Sequence, residues 1–245
     1  MNDLVLRNDN GPVTTLTLNR PEKLNALSPE LFLELREHID AIASEAESVR
    51  CLVIGGAGRS FCAGADLEAL RAGVAMADPE FRSETIERIG RLPQIVIAAV
   101  HGHCYTGGLE LALAADIMVA ADDAKFCDTH ARLGIVPRWG MSARLPRRVG
   151  LATAKRLSVT ADPIYAAEAQ RILLCDYVVP RDRLDDFAAD LAARAAKNAP
   201  SSIAAIRHLY ENSLATSLDE ALAYERQYTS APKAANGNQR VRTSE

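Results

Sequence analysis

Short apolar runs, separated by segments of helical periodicity, dominate the first 150 residues of the chain. Runs that alternate apolar and polar side chains, or that are apolar throughout, are typical of half-buried and fully buried strands. The predicted strands are Val13–Leu18, residues 50–56, residues 94–100 and two short ones within residues 116–128. A helix is predicted between the first two strands, with Ser28 as its N-cap, Pro29 at its first position and its end near Ser48.

From about Gly150 the pattern is helical, apart from one short apolar run at residues 175–180. Strands that alternate with helices, followed by helices alone, predict an α/β core with a helical C-terminal region. We expect the core in residues 1–180 and the helical region in residues 181–230. Residues 231–245 lack apolar periodicity, which predicts a disordered tail.

Composition and charge limit the classes of partner. The chain has 245 residues, of which 48% are hydrophobic and 24% are charged, as in ordinary globular proteins. Its net charge of −4, with scattered Lys and Arg, argues against nucleic acid as a partner. The basic run at residues 144–148 is either a solvated face or a neighbour of an anionic ligand. No apolar segment approaches the ~18 residues of a membrane span and no signal-peptide pattern is present, so we expect a cytoplasmic protein.

Cysteine and histidine spacing gives no metal signature. The five cysteines lie far apart without a C-x-x-C pair, which predicts neither a disulfide framework nor a zinc site. His101 and His103 would share one face of a strand, but no third ligand is spaced to join them. We therefore expect no metal site.

Two glycine-rich loops follow predicted strands. In the first, GGAGRSFCAGAD at residues 55–66, Phe61 stands where a dinucleotide-binding G-x-G-x-x-G loop needs its third glycine. The loop instead exposes its backbone through the small residues Ala63, Gly64 and Ala65, whose N–H groups could donate to an acceptor. A tight turn without a ligand is the alternative for this loop.

The second loop, CYTGGLE at residues 104–110, opens a predicted helix at about Gly107. Free N–H groups and the positive end of the helix dipole point out of such a turn. If the turn at Ala63 lies beside Gly107, two backbone N–H groups converge on one carbonyl oxygen and stabilise the negative charge of an enolate. Such an oxyanion hole contributes roughly 3–4 kcal/mol per donor.

Glu110 lies on a helix face that is otherwise apolar, because two leucines flank it and Leu113 and Ala114 lie three and four positions on. A buried carboxylate destabilises a fold unless it is paired or used. A capping box would place the acid at position 109, where Leu109 stands, so helix capping does not explain this residue. We therefore predict a general acid or base with a raised pKa.

Four ordered motifs closely resemble the enoyl-CoA hydratase/isomerase, or crotonase, superfamily. They are RPEKLNALS at residues 20–28, GRSFCAGADL at 58–67, the segment from AAVHGHCYTGG to DDAKF at 98–126, and RLGIVPRWG at 132–140. The resemblance implies an α/β crotonase-like spiral of ββα units with a helical C-terminal trimerisation region. It also implies a homo-oligomer, either a trimer or a dimer of trimers.

The same resemblance implies where an acyl-CoA thioester would bind. The backbones of Ala63 and Gly107 would form the oxyanion hole, and Glu110 matches the first of two catalytic glutamates in the hydratases. Trp139 would lie near the acyl pocket. The residues that would line the CoA and substrate site are Lys23, Ala26, Ala63, Gly64, Ala65, Asp66 and Leu67. No cofactor is implied, since coenzyme A is part of the substrate and the thioester itself makes the α-proton acidic.

One departure from the resemblance concerns the second glutamate of the hydratases. His130 stands at that position, and Asp128 or Thr129 is placed to orient its imidazole. His130 either transfers protons or only packs beside the pocket. Hydration of a 2-enoyl-CoA to a 3-hydroxyacyl-CoA is the leading expectation. The alternatives are isomerisation, hydrolysis or decarboxylation of an acyl-CoA, and acyl-CoA binding without catalysis.

Overall fold

The strands of the protein form two sheets in the computed structural model, which describes residues 3–74 and 76–228. They are β1 Val5–Asn10, β2 Val13–Leu18, β3 Cys51–Gly56, β4 Ile95–Val100, β5 His103–Tyr105, β6 Ile117–Ala121, β7 Lys125–Cys127, β8 Ile164–Tyr165 and β9 Tyr177–Val179. The larger sheet has the order β1-β2-β3-β4-β6-β9, and the smaller sheet has the order β5-β7-β8. The strands predicted from the sequence are all confirmed, whereas β1, β5 and β8 were not predicted.

Helices connect and cover these strands. They are α1 Pro29–Ser44, α2 Leu67–Arg71, α3 Phe81–Gly90, α4 Gly107–Ala112, α5 His130–Leu133, α6 Met141–Val149, α7 Leu151–Thr160, α8 Ala166–Arg171, α9 Leu184–Ala195, α10 Pro200–Ser213 and α11 Leu218–Gln227. Ser28 caps α1 as predicted, because its side chain accepts a hydrogen bond from the Leu31 N–H. The predicted end of α1 near Ser48 is wrong, since the last buried side chain of this helix is Ile42 and nothing apolar holds a further turn.

Two consecutive ββα units give the spiral its repeat. The first is β4–β5–α4 and the second is β6–β7–α5. In each unit the first strand joins the larger sheet and the second joins the smaller sheet, and the two units pair in parallel, β4 with β6 and β5 with β7. The expected crotonase-like α/β spiral is therefore confirmed.

The central strands β3, β4 and β6 of the larger sheet are buried on both faces, which explains their continuous apolar sequences. In β3, Leu52 and Ile54 belong to the main core, whereas Cys51 and Val53 face a second apolar cluster that includes residues of α9. Successive side chains of a strand point to opposite faces, so one short strand contributes to both cores. This rigid sheet carries the loops that form the site.

The helices that were not predicted include α3 and α6, each of which buries few apolar side chains. In α3 the buried residues are Thr85, Ile86 and Ile89, and the remainder is polar or charged. In α6 Pro146 lies inside the helix, and a helical pattern was predicted only from about Gly150. Tertiary packing overrides local propensity in both elements.

The chain divides into two compact units, of which the first ends at Lys197 and the second begins at Asn198. Within the second unit, Ser217 and Glu220 form a capping box at the start of α11. The predicted boundaries at residues 180 and 230 stay predictions, and the predicted tail, residues 231–245, lies outside the described residues. Across residues 3–74 and 76–228, none of the helices combines the length and apolar character needed to cross a bilayer.

Close backbone contacts fasten the first glycine loop to α4. A Cβ at Gly108 would overlap the carbonyl oxygen of Cys62 and lie 2.8 Å from the Cys62 Cβ. On the other side of the loop, the buried Asn25 amide donates to the carbonyls of Ala57 and Ser60. The small residue at position 108 is thus needed for packing, because it lets the loop and the helix meet.

We predict that Gly108→Ala lowers the free energy of unfolding by roughly 1–3 kcal/mol, because the added methyl group forces the Cys62 backbone away. Helix propensity alone would favour alanine by at most about 1 kcal/mol, so packing decides the sign. Urea unfolding followed by circular dichroism measures the change.

Gly55→Ala is the matched control for this substitution. A Cβ at Gly55 meets nothing within 4 Å, so we expect no loss of stability. Equal stabilities of the parent and the Gly108→Ala variant would contradict the packing argument.

Candidate active site

The carboxylate of Glu110 is buried and held in place by backbone N–H groups. The residue is 1% exposed and lies in the first turn of α4. Its Oε1 accepts hydrogen bonds from the N–H groups of Trp139 at 2.8 Å and Met141 at 3.1 Å. Met141 begins α6, so the positive end of that helix faces the carboxylate. The predicted burial of this residue is confirmed.

The second oxygen of Glu110 faces a histidine that is itself held by an aspartate. Glu110 Oε2 lies 3.7 Å from His130 Nε2, and His130 Nδ1 lies 2.5 Å from Asp128 Oδ1. All three side chains are buried. Between the two residues that were expected to orient His130, Asp128 contacts its ring, whereas the Thr129 hydroxyl bonds to Thr106. The carboxylates thus fix the orientation of the imidazole between them.

The pKa values of the Glu110 and Asp128 carboxyl groups shift in opposite directions, although both groups are buried. Burial raises the pKa of Glu110 above its ordinary value, and the N–H groups of Met141 and Trp139 together with His130 offset this only in part. Burial would also raise the pKa of Asp128, but the hydrogen bonds from His130, helped by the nearby Ser158 side chain, bring it below its ordinary value. Pairs of carboxyl groups whose pKa values are pushed apart are typical of acid–base sites.

Two backbone amides lie next to each other beside this cluster. A Cβ at Gly107 would lie 3.4 Å from the Ala65 nitrogen, and a Cβ at Gly64 would lie 3.5 Å from the Gly107 nitrogen. Gly107 is the first residue of α4, where an N–H has no acceptor within the helix. Within the described part of the chain, the Ala65 N–H donates to no other residue. These two amides are therefore available to a ligand.

The expectation that Ala63 supplies a free amide is corrected by the structure. The N–H of Ala63 donates to the carbonyl of Leu24 at 3.0 Å, so it is occupied by the neighbouring loop. Amides in an irregular turn point in different directions, and sequence alone does not decide which of three consecutive ones is free. The available amide lies two residues later, at Ala65.

The turn before α4 has an unusual backbone. Thr106 adopts φ 50 and ψ −111, a conformation that a β-branched residue rarely takes. Such strain clusters at functional sites and persists only where the surroundings enforce it. Here the Thr106 N–H bonds to the Cys127 carbonyl at 2.8 Å, and at Gly107 a Cβ would overlap the ring of Trp139. The strained turn brings the Gly107 amide close to the indole.

A pocket of about 400 Å³ joins the amides to the acid–base cluster. Its lining residues are Ala65, Pro79, Arg82, Thr106, Gly107, Glu110, His130, Ile135, Val136, Arg138 and Trp139. Trp139 lies here as expected, and its ring packs edge-on against Phe32 with centroids 5.1 Å apart. Sequence reasoning missed Arg82, because it lies in α3, which was itself not predicted.

The other residues expected at the CoA site lie next to the pocket but outside its lining. Leu27 pairs with Ala65, which brings the loop of Lys23 and Ala26 against the turn at Gly64. The Lys23 Nζ lies 2.9 Å from a Glu68 carboxylate oxygen, and the Ala26 carbonyl accepts a hydrogen bond from Arg20. The Asp66 side chain caps the start of α2, and Leu67 is exposed. Their role in binding CoA stays a prediction.

The two histidines of the HGH segment contact the first glycine loop. His101 Nε2 lies 3.1 Å from the Gly58 carbonyl, and His103 Nδ1 lies 2.9 Å from the Ser60 hydroxyl. In residues 3–74 and 76–228, no group of three or more His, Cys, Asp or Glu side chains is arranged to hold a metal ion. These imidazoles support the loop that carries Ala65.

Comparisons with known proteins agree with this geometry. The profile of the enoyl-CoA hydratase/isomerase family matches residues 8–243. The chain is 34% identical to the probable peroxisomal enoyl-CoA hydratase 1 of Arabidopsis thaliana, covering 92% of this chain and 85% of that protein. It is 33% identical to the 1,2-epoxyphenylacetyl-CoA isomerase of Escherichia coli, and that match covers 93% of this chain and 89% of the relative.

A solved structure is also similar. The enoyl-CoA hydratase of Bacillus anthracis superposes with a TM-score of 0.85 at 35% identity, covering 92% of this chain and 89% of that one. The profile match and the relatives extend over both the ββα spiral and the segments that form the pocket. The chain therefore belongs to the enoyl-CoA hydratase/isomerase family, within the crotonase superfamily.

Proposed function

We propose that this protein is a hydro-lyase that adds water to 2-enoyl-CoA thioesters and gives 3-hydroxyacyl-CoA. The observation that carries the proposal is the buried Glu110 carboxylate, which shares one pocket with the adjacent amides of Ala65 and Gly107. A carboxylate in an apolar pocket beside two backbone donors is suited to enolate chemistry. The names of the enoyl-CoA hydratase relatives support the same reaction.

In the proposed reaction the thioester oxygen accepts hydrogen bonds from the Ala65 and Gly107 N–H groups. Glu110 takes a proton from water as the water oxygen bonds to the β-carbon. The electrons of the double bond move into the thioester, and the resulting enolate oxygen is stabilised by the two amides. A proton is then delivered to the α-carbon, and the proton held by Glu110 passes back to the donor, which completes hydration and restores both groups. The chemistry needs no cofactor, because the thioester itself delocalises the charge.

We assign the delivery of that proton to His130, with Asp128 as a positioning residue. The contact between Asp128 and His130 Nδ1 leaves Nε2 facing Glu110 and the pocket. An imidazole can donate a proton from one ring nitrogen, and a carboxylate partner at the other nitrogen fixes its orientation and tautomer. This pair would take the place of the second glutamate of the hydratases.

Double-bond isomerisation is the second candidate reaction. It uses the same enolate but moves a proton between the α- and γ-carbons without adding water. The matching family, which is described as enoyl-CoA hydratase/isomerase, supports it as a candidate. Loss of the enone absorbance of crotonyl-CoA reports hydration, whereas a gain of that absorbance from a 3-enoyl-CoA reports isomerisation.

Assembly and compartment are further parts of the proposal. We propose a homo-oligomer, a trimer or a dimer of trimers, in the cytoplasm. Large exposed apolar side chains on α10, on α11 and just after the end of α10 support self-association, because exposed apolar patches mark interaction surfaces. They are Ile206, Tyr210, Leu214, Leu218 and Leu222. Light scattering tests the assembly, and cell fractionation tests the compartment, since one plant relative is named as peroxisomal.

We predict that Glu110→Gln lowers kcat for crotonyl-CoA by about 10²–10⁴-fold, the range typical of general acid–base groups. Glutamine can still accept the N–H groups of Trp139 and Met141 through its amide oxygen, so the fold is expected to persist. Loss of enone absorbance measures the rate, and circular dichroism measures the fold.

Glu87→Gln is the control for the Glu110 substitution, because Glu87 is exposed and pairs with Arg91 on the surface of α3. We expect its kcat to equal that of the parent. Retention of the parent rate by a folded Glu110→Gln variant would overturn the assignment of Glu110.

We predict that His130→Gln moves the acidic limb of the pH profile of kcat/KM to higher pH. Glu110 acts in its ionised form, so activity rises as pH passes through the pKa of this carboxyl group. A protonated His130 lowers the pKa of Glu110, and removing that charge raises it. An acidic limb that stays in place or moves to lower pH would show that His130 does not interact with Glu110 as described.

A further inference from the structure

Arg82 is a cation in an unfavourable position on its helix. It is the second residue of α3 and lines the same pocket as Glu110 and His130. The N-terminal end of a helix carries partial positive charge, so a guanidinium in the first turn is disfavoured by the dipole. The stability of α3 therefore does not account for an arginine at this position.

The hydrogen-bonding capacity of Arg82 is largely unused within the chain. Its Nε is buried and has no partner among the described residues. Its Nη2 makes one long contact of 3.5 Å with the Val74 carbonyl, and no described carboxylate lies within 4 Å of its guanidinium. Burial lowers the pKa of Arg82, and Glu30 opposes that effect only at a distance. A desolvated guanidinium N–H without an acceptor is costly, which points to an acceptor supplied from outside the chain.

A second arginine of the pocket lining behaves differently. Arg138 is 69% exposed at its side chain and forms an ion pair with Glu80 at 3.3 Å. The half-buried Arg36 bonds to the Thr85 hydroxyl and the Phe81 carbonyl. Arg82 thus differs from these arginines because it lines the pocket while its buried Nε has no partner among the described residues. The remaining walls near it include the apolar side chains of Ile135 and Val136.

We propose that Arg82 binds a carboxylate at the far end of the acyl chain, so that the pocket selects CoA thioesters of dicarboxylic acids. This inference rests on the proposed function, since the thioester end of the ligand is taken to lie at Ala65 and Gly107. A planar guanidinium matches a carboxylate through parallel hydrogen bonds, and such pairs are the strong, specific ones in a partly dry site. A neutral acyl chain would leave the buried N–H without an acceptor.

Binding of saturated thioesters tests the proposal without requiring turnover. Calorimetry compares pentanedioyl-, hexanedioyl- and octanedioyl-CoA with the monocarboxylic thioesters of the same chain lengths. The affinity ratio is the affinity for the dicarboxylic thioester divided by that for the monocarboxylic thioester of the same chain length. We expect this ratio to be at least about tenfold for the parent at one or more chain lengths, because a charge-assisted hydrogen bond contributes roughly that much. We expect Arg82→Met to abolish this ratio. Arg88→Gln is the matched control, because Arg88 lies on the same helix, is exposed, pairs with Asp40 and lies outside the pocket lining, and we expect it to keep the ratio within about twofold.

The ratio separates this proposal from a contact between Arg82 and CoA itself. If Arg82 bound a CoA phosphate, Arg82→Met would weaken both thioesters equally and leave the ratio unchanged, which would overturn the proposal. Equal affinities in the parent at every chain length would also overturn it. Arg82→Lys is the second variant should methionine prevent folding, and we expect an intermediate ratio because lysine keeps the charge but loses the planar donors.

Hydration of crotonyl-CoA by the parent is measured separately. A parent that is inert with crotonyl-CoA yet shows the Arg82-dependent ratio would refute the proposed reaction and leave the carboxylate site supported. A parent that hydrates crotonyl-CoA and shows no ratio would refute the carboxylate site alone.

Discussion

The burial of one carboxyl group, that of Glu110, organises the site. An unpaired carboxylate in an apolar core is unfavourable, so the surroundings must supply hydrogen-bond donors. The N–H groups of Trp139 and Met141 supply these donors. His130, which Asp128 holds from behind, adds an electrostatic contact at 3.7 Å. The remaining desolvation keeps the pKa of Glu110 raised, which suits a group that must both take up and release a proton.

The spiral explains how distant parts of the chain meet at this carboxyl group. Successive ββα units bring Glu110 of α4 close to the start of α5, because their strands pair in parallel in both sheets. Glu110 and His130 therefore come from neighbouring units, although 20 positions separate them. The first glycine loop approaches α4 through the contact between Gly108 and Cys62, which sets the Ala65 amide beside that of Gly107. Fold and site geometry thus depend on the same backbone contacts.

Much of this arrangement could be predicted from the sequence. The apolar runs gave the buried strands, and the carboxylate on an apolar helix face identified Glu110 as a buried residue. Two features could not be found in this way. The free amide was expected at Ala63 rather than Ala65, because the direction of an N–H group in an irregular turn depends on tertiary contacts, here the bond to Leu24. Arg82 was missed because α3 buries too few apolar side chains to produce a helical pattern.

The central claim is that the thioester oxygen lies between two amides while its acyl chain passes Glu110. A crystal structure of the protein with butanoyl-CoA, a saturated thioester that cannot be hydrated, tests this most directly. The account predicts a carbonyl oxygen about 2.7–3.1 Å from both the Ala65 and Gly107 nitrogens, with the β-carbon adjacent to the Glu110 carboxyl group. A carbonyl oxygen bound elsewhere, or an acyl chain directed away from Glu110, would contradict it.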